Sequence, residues 1–391
     1  MKPASTTPSP VIRISGNPLK TFLLALPMIL FSALLMTQGE IPKEPSKLIP
    51  LIITYLFFNS MFVMMIHSGK TDKYRAILFV TYAFCFILSF IVNLIEVRGS
   101  MMYTGENMLK NDIPFCHIVT PMVLIPAALN RTIIFPGSLL EGFASIGSML
   151  VLVIGVFIAL GRGFCSWGCF YGGVEDGFSR LARKPRLKLD GSKLRYLPFA
   201  VLIVVALTSA ISFTPTYCIW LCPFKAVTEF EKITSVIVLI QTFIFVALFI
   251  GLVIVLPVLT KKRTQCSFLC PFGAFASFAN KINPFTIRID RNKCVNCKLC
   301  AAACPNYSLD EQAIKTGKPY LTCLKCGKCV DACPKGAISF GIKGTSYSKP
   351  LLARMLFLYP AFILLVTMGG GNVQDALRRI ILLITTGSVF N

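Results

Sequence analysis

Two cysteine runs of identical spacing constrain this chain more than any other feature. The first reads Cys294-x2-Cys297-x2-Cys300-x3-Cys304-Pro305, and Cys323-x2-Cys326-x2-Cys329-x3-Cys333-Pro334 repeats it position for position. Soft thiolates suit iron–sulfur clusters, and a tight loop presents three of them to one face of a cubane. In this spacing the fourth cysteine of each run ligates the cluster of the other run. One [4Fe-4S] cluster is therefore expected on Cys294, Cys297, Cys300 and Cys333, and a second on Cys323, Cys326, Cys329 and Cys304. A pair of zinc sites is the competing reading, but zinc runs favour two separated C-x2-4-C knuckles.

Around this unit the composition is that of a membrane protein. Hydrophobic residues make up 55% of the 391 and charged residues only 14%, with a mean hydropathy of +0.71. Soluble domains carry about 25% charged residues. The formal charge of +22 does not point to nucleic acid, because no basic stripe with interleaved aromatics is present. Lysines and arginines gather instead in certain loops, and part of the excess offsets the roughly two negative charges of an oxidised four-thiolate cubane.

Hydropathy indicates spans at 19–37, 51–67, 76–94, 143–160, 196–213, 236–259 and 351–368. Each approaches the roughly 17 to 25 residues a crossing helix needs. Every second connection is basic: Arg13 and Lys20 precede the first span, and Lys70, Lys73 and Arg75 follow the second. The run from Arg180 to Arg195 follows the fourth span, and Lys261, Lys262 and Arg263 follow the sixth. The positive-inside rule then puts the N-terminus and the cysteine-rich head in the cytoplasm of a prokaryotic cell, on a multi-pass inner-membrane protein. The expected fold is an all-α transmembrane helical bundle (1–285) carrying three C-x3-C motifs and a small α+β two-cluster ferredoxin domain (286–345). A C-terminal transmembrane helix with an apolar tail (346–391) completes it. The tail, Ile380 to Phe390, is too short to cross by itself.

One stretch does not read as a simple span. Between Asp112 and Gly137 the apolar residues are interrupted by Pro114, Pro121, Pro126, Asn130, Arg131 and Pro136, and the flanking spans require both ends on the outer side. A broken or re-entrant segment is expected, with an amphipathic surface helix as the alternative. Irregular backbone at membrane depth survives only where protein or a polar cavity surrounds it, which marks such a segment as functional.

A second cysteine repeat runs through the apolar part. Cys165-Ser-Trp-Gly-Cys169, Cys218-Ile-Trp-Leu-Cys222 and Cys266-Ser-Phe-Leu-Cys270 share the form C-x-aromatic-x-C, and both tryptophans of the chain fall inside it. Residues four apart share a helix face, so each motif offers two thiols, half of a cluster's ligand set. The first and third motifs leave their spans on the cytoplasmic side, where Cys165, Cys169, Cys266 and Cys270 are expected to converge on a third [4Fe-4S] cluster. Disulfides or structural thiols compete with that reading, and a reducing compartment argues against them.

The middle motif is carried to the outer face, where Cys116 and His117 begin the broken segment. A fourth iron–sulfur cluster on Cys116, Cys218, Cys222 and His117 is geometrically allowed, since Rieske centres use histidine. A Cys218–Cys222 disulfide, with His117 satisfied by hydrogen bonds, is the alternative. Trp167, Trp220 and Phe268 are expected to pack against and desolvate the clusters. His67 and His117 fall on opposite sides, so no bis-histidine haem is expected. Glu96, Glu175 and Asp176 are candidates for proton handling, against a reading as solvated loop acids.

The run from Gly161 to Cys169, the pairs Cys222-Pro223 and Cys270-Pro271, and the closing double run together resemble the membrane polyferredoxins related to NapH, NosR and CcoG, over about 143–340. The resemblance carries over Cys165, Cys169, Cys266 and Cys270 and the eight head cysteines. It implies a membrane-bound protein relaying single electrons between a cytoplasmic donor or acceptor and a membrane or outer-face partner, with another ferredoxin, a flavoprotein, a cytochrome or quinone on the other side. Phe170 departs from the pattern, standing where the family has proline, and the middle pair is extra relative to two-motif members. A quinone-linked oxidoreductase module and a CcoG-like metal reductase or assembly factor are the alternatives. No side chain is required to make or break a covalent bond, so the chain reads as a subunit of an oxidoreductase complex.

Overall fold

The structure, a computed structural model, describes residues 17–97, 116–130, 146–228, 233, 235–345 and 350–388. Among them five helices are long and apolar enough to cross a bilayer, and a sharply bent apolar helix pair forms either a broken span or a re-entrant loop. The first three are α1 (Pro18–Thr37), α2 (Pro45–Ser68) and α3 (Thr71–Val97). Asn17 starts α1 by accepting the Leu19 N–H at 3.0 Å, with Pro18 in the first turn where its missing donor costs nothing. The other two long crossings are Val236–Thr260 and Pro350–Thr386.

The helix over the expected 196–213 span, Leu197–Ser212, has 16 residues, about 24 Å against a hydrocarbon core of about 30 Å. The described part of the 143–160 span, Ile146–Ala159, bends by 102° into Gly161–Trp167. Gly161 makes the corner at φ +57°, and a Cβ there would come within 2.5 Å of Asn280 Oδ1, so both the dihedral and the space call for glycine. Among the described residues a sharp break falls at Gly161. The described part of the 112–137 stretch is a 3-10 turn, His117–Val119, running into the helix Thr120–Asn130. Its first half is buried, which removes the surface-helix alternative; the rest of 112–137 lies outside the described residues.

The last helix runs well beyond the expected 351–368 span. Pro350–Thr386 is one helix of 37 residues, so the tail as far as Thr386 continues the last crossing instead of re-entering. Gly369 lets that helix lie against α3, since a Cβ there would sit 3.0 Å from the Tyr82 ring.

The head is a small α+β unit. Its strands β1 (Phe285–Ile289) and β2 (Ile338–Ile342) pair antiparallel, with Ile287 opposite Phe340. Period-two alternation buries Ile287, Ile289, Ile338 and Phe340 on one face, and Phe340 stacks on Phe357 of the last helix. Far from hanging on a tether, the head is clamped to the bundle. The Asp331 carboxylate accepts the N–H groups of Thr71, Asp72 and Lys73 at 3.1, 2.8 and 3.3 Å, capping α3 from another domain. In return, Lys262 Nζ donates to the carbonyls of Ala301, Ala302 and Cys304 at the end of the helix Leu299–Ala303. Asp331→Ala is expected to cost about 1–2 kcal/mol. Hydrogen exchange checks this: the amides of residues 71–73 should lose protection while those of β1 keep it.

Candidate iron–sulfur sites

Both head runs curl through the same backbone turns. Asn296 and Lys298 in the first, Lys325 and Gly327 in the second, occupy equivalent positions with φ between 51° and 84°. The result is two sulfur-lined pockets. Cys294, Cys297, Cys300 and Cys333 line the first; Cys304, Cys323, Cys326 and Cys329 line the second. Each fourth cysteine thus sits with the opposite run. Among the described residues no three His, Cys, Asp or Glu side chains close tightly enough to hold a single metal ion. Rings of four sulfurs around a cavity suit a cubane better than tetrahedral zinc, whose ligands lie about 2.3 Å from one ion.

The two cavities face different surroundings. Cys297 is exposed, and its neighbours Val295 and Leu299 are 59% and 50% exposed, so the first opens to solvent. The second presses on the bundle. Lys325 enters it between Leu160, Asn280 and Asn283, donating at 3.0, 2.6 and 2.8 Å, and burial pulls its ammonium down to about 7. The fully buried Trp167 donates its indole N–H to the Lys325 carbonyl at 3.4 Å.

Beneath lies a site with internal symmetry. The first and third membrane motifs are not continuous helices. In each a short helix, Phe164–Trp167 or Thr264–Phe268, stops before the second cysteine, and Cys169 or Cys270 then caps the next helix, Phe170–Leu181 or Pro271–Ile282. The expectation of two thiols on one helical face is replaced by a helix–corner–helix unit whose second sulfur stands at a helix N-terminus, where free N–H groups favour a thiolate. Cys270 Sγ accepts the Gly273 N–H there at 3.3 Å. Cys169 and Cys270 each lie within electrostatic reach of the other three sulfurs of the two motifs.

Arginines lock the two units together. Arg162 and Arg263 each stand three residues before the first cysteine of their motif. Arg162 donates to the Cys266 carbonyl at 3.1 Å and to Ser277 Oγ at 2.8 Å. Reciprocally, Arg263 donates to the Cys165 carbonyl at 3.1 Å and pairs with Asp176 at 3.0 Å, the residue equivalent to Ser277. Both side chains are buried, as is Arg75, which also pairs with Asp176 at 2.8 Å. Arg75 and Arg263 entered the sequence analysis as loop charges; the structure makes them internal, because Asp176 and carbonyl oxygens take up their donors. The signal was present in the repeated R-x2-C-S spelling.

Glu175 and Asp176 are fully buried, not solvated loop acids. Glu175 accepts the N–H groups of Gln265 and Cys266 at 2.6 and 3.0 Å, holding the start of the third motif, and burial pushes its carboxyl up to about 7. Thr264 donates to the Leu252 carbonyl, which a π-helical stretch, Phe249–Val255, leaves free. Glu96 lies outside the described side chains. Phe268 is buried against Tyr307, whereas Trp220 is 40% exposed. Tyr217 and Cys218 take the inner face of the helix Thr216–Trp220 and leave Trp220 outside, so it encloses nothing.

The middle motif does not stand on an opposite face. Cys116 Sγ lies 3.7 Å from the Tyr171 hydroxyl, and Tyr217, beside Cys218, accepts from Gln265, beside Cys266, at 2.7 Å. Cys222 is near Cys116. His117 Nε2 meets Cys169 Sγ at 3.1 Å, among the rings of Phe164, Tyr171 and Phe272. It therefore turns toward the four-cysteine site and away from a ligand position with Cys218.

The family described as a 4Fe-4S dicluster domain matches residues 286–334. The one described as a 4Fe-4S binding domain matches three times, at 142–188, 194–233 and 242–289, so all three C-x3-C motifs, the middle one included, are copies of one repeat. Ferredoxin-type protein NapH of Haemophilus influenzae is 24% identical over 256 residues, 62% of this chain and 83% of that one. NapH of Escherichia coli is 26% identical over 220 residues, 54% and 73% of the two chains. Methylamine utilization ferredoxin-type protein MauN of Paracoccus denitrificans is 29% identical over 213 residues, 51% and 66%.

The chain is similar to the NapH-like ferredoxin-type proteins.

No solved structure matches it. The chain is a multi-pass membrane protein with an iron–sulfur electron-transfer role.

Proposed function

We propose that the protein is the electron-transfer subunit of a membrane oxidoreductase complex, relaying single electrons between a soluble carrier at its head and a redox partner in or across the membrane. The head and the N-terminus face the cytoplasm in this reading, as the basic loops suggest. Cys294, Cys297, Cys300 and Cys333 would hold one [4Fe-4S] cluster, Cys304, Cys323, Cys326 and Cys329 a second, and Cys165, Cys169, Cys266 and Cys270 a third. Cys116, Cys218 and Cys222 are the sulfur set of a fourth iron site. Bound there, such clusters supply one-electron storage and transfer. The chain's own residues order and insulate the sites. Trp167 and Lys325 close the space between head and bundle, Glu175 fixes the third motif, and Tyr171 and Tyr217 exclude water between the two membrane sets.

The observation that supports this most is continuity. The solvent-facing set lies beside the set that presses on Trp167, the four-cysteine site follows directly, and Cys116 comes next through the Tyr171 hydroxyl. Iron and acid-labile sulfide on anaerobically purified protein test it. About twelve irons per chain are expected from three cubanes and about sixteen if the fourth is also one. Cys116→Ser together with Cys218→Ser should lower the count only in the second case. A count near eight, unchanged by Cys165→Ser, would overturn the membrane site.

A further inference from the structure

Arg162 and Arg263 are equivalent in position but not in charge environment. Arg263 has a carboxylate, Asp176, at 3.0 Å. At the matching position Arg162 has only the Ser277 hydroxyl. Arg162 is 1% exposed, meets no carboxylate among the described residues, and its Nε finds no acceptor. A buried guanidinium without a counter-charge costs several kcal/mol, so an anion must face it. The anionic groups within its reach are the sulfurs of the four-cysteine site, Cys165 first among them.

We propose that Arg162 sets the reduction potential of the four-cysteine site, its charge balanced by the cysteine-held cluster, while Arg263, whose charge Asp176 offsets in part, acts mainly in positioning. The proposal rests on the reading that Cys165, Cys169, Cys266 and Cys270 hold an iron–sulfur cluster. A fixed positive charge favours the reduced state, which carries one more negative charge, and local charge is one of the levers by which a protein tunes such sites. Ser277 in place of a second aspartate keeps that charge unspent. The asymmetry would make this site easier to reduce than a symmetric copy of the Arg263–Asp176 half.

Redox titration of the full-length protein, followed by electron paramagnetic resonance, tests this, with the signal assigned by its loss in Cys165→Ser. Arg162→Gln is expected to shift the reduced-to-oxidised ratio about tenfold toward oxidised at fixed ambient potential, about 59 mV for one electron. Ser277→Asp, which leaves the arginine in place but gives it a carboxylate, should shift it in the same direction. Arg162→Lys, keeping the charge but not the two-pronged hydrogen bonding, should stay within about threefold of wild type, as should Arg263→Gln. Unchanged potentials in both Arg162→Gln and Ser277→Asp, with the cluster bound, would overturn the proposal alone. So would a Lys variant that shifts as far as Gln. Should Arg162→Gln fail to load, Ser277→Asp decides. Wild-type protein lacking the Cys165-dependent signal would overturn the underlying reading and this proposal together.

Discussion

Asp176→Ala is expected to lower the unfolding free energy by about 3–5 kcal/mol, the cost of stranding buried charges whose partner has been removed. Asp176 is fully buried and pairs with Arg75 at 2.8 Å, Arg263 at 3.0 Å and Arg180 at 3.2 Å. Asp72 supports two of these arginines, but Arg263 has no second carboxylate among the described residues. Burial works to raise the Asp176 carboxyl, and Arg263, Arg75 and Arg180 outweigh it, holding the group well below the usual carboxylate range. A depressed folded-state value means that the stabilisation is present above the ordinary carboxylate pKa of about 4 and is lost only as pH falls through the lower one. The loss on substitution should therefore be flat across neutral pH. Denaturant or thermal unfolding in detergent measures it. An Asp176→Ala protein within about 1 kcal/mol of wild type would show that the arginine cluster is relaxed by water or by another partner.

Gly172→Ala carries the second large effect. A Cβ at Gly172 would sit 2.4 Å from the Cys165 carbonyl oxygen and 3.6 Å from an Arg263 guanidinium nitrogen. The close atom is backbone, so relief requires Cys165 or the helix Phe170–Leu181 to move, taking Cys169 with it. Overpacking of this kind costs about 1–3 kcal/mol, and the displaced sulfur matters more. The expected outcome is loss of about four irons per chain, with the roughly eight of the head retained. Gly155→Ala, where a Cβ meets nothing within 4 Å, is the control and should keep the full count. Full iron loading of Gly172→Ala would mean that the corner is looser than the contacts indicate.

The head was legible almost to the residue, because its pattern is local. Three cysteines in seven positions dictate a loop, and the expected exchange matches the placing of each run's fourth cysteine in the other run's pocket. The long crossings were equally readable, since about twenty apolar residues have few other uses. Reading failed where a helix stops for reasons not written in its own residues. The C-x3-C motifs look helical by spacing, yet each breaks before its second cysteine because the following helix must start there. Leu197–Ser212 reads as a crossing, yet Cys222, beyond its end, lies close to Cys116. Trp220 shares its motif position with Trp167, but one is exposed and the other fully buried.

By itself the sequence determined the cofactor class, the membrane setting and the grouping of the head thiols, because each follows from residue type at short, regular intervals. Tertiary structure alone decided which cavity meets the bundle, that Arg162 and Arg263 cross between motifs about a hundred residues apart, and that His117 turns to Cys169. Those outcomes depend on how distant helices pack and on which buried charges find partners. A one-dimensional pattern holds no record of either.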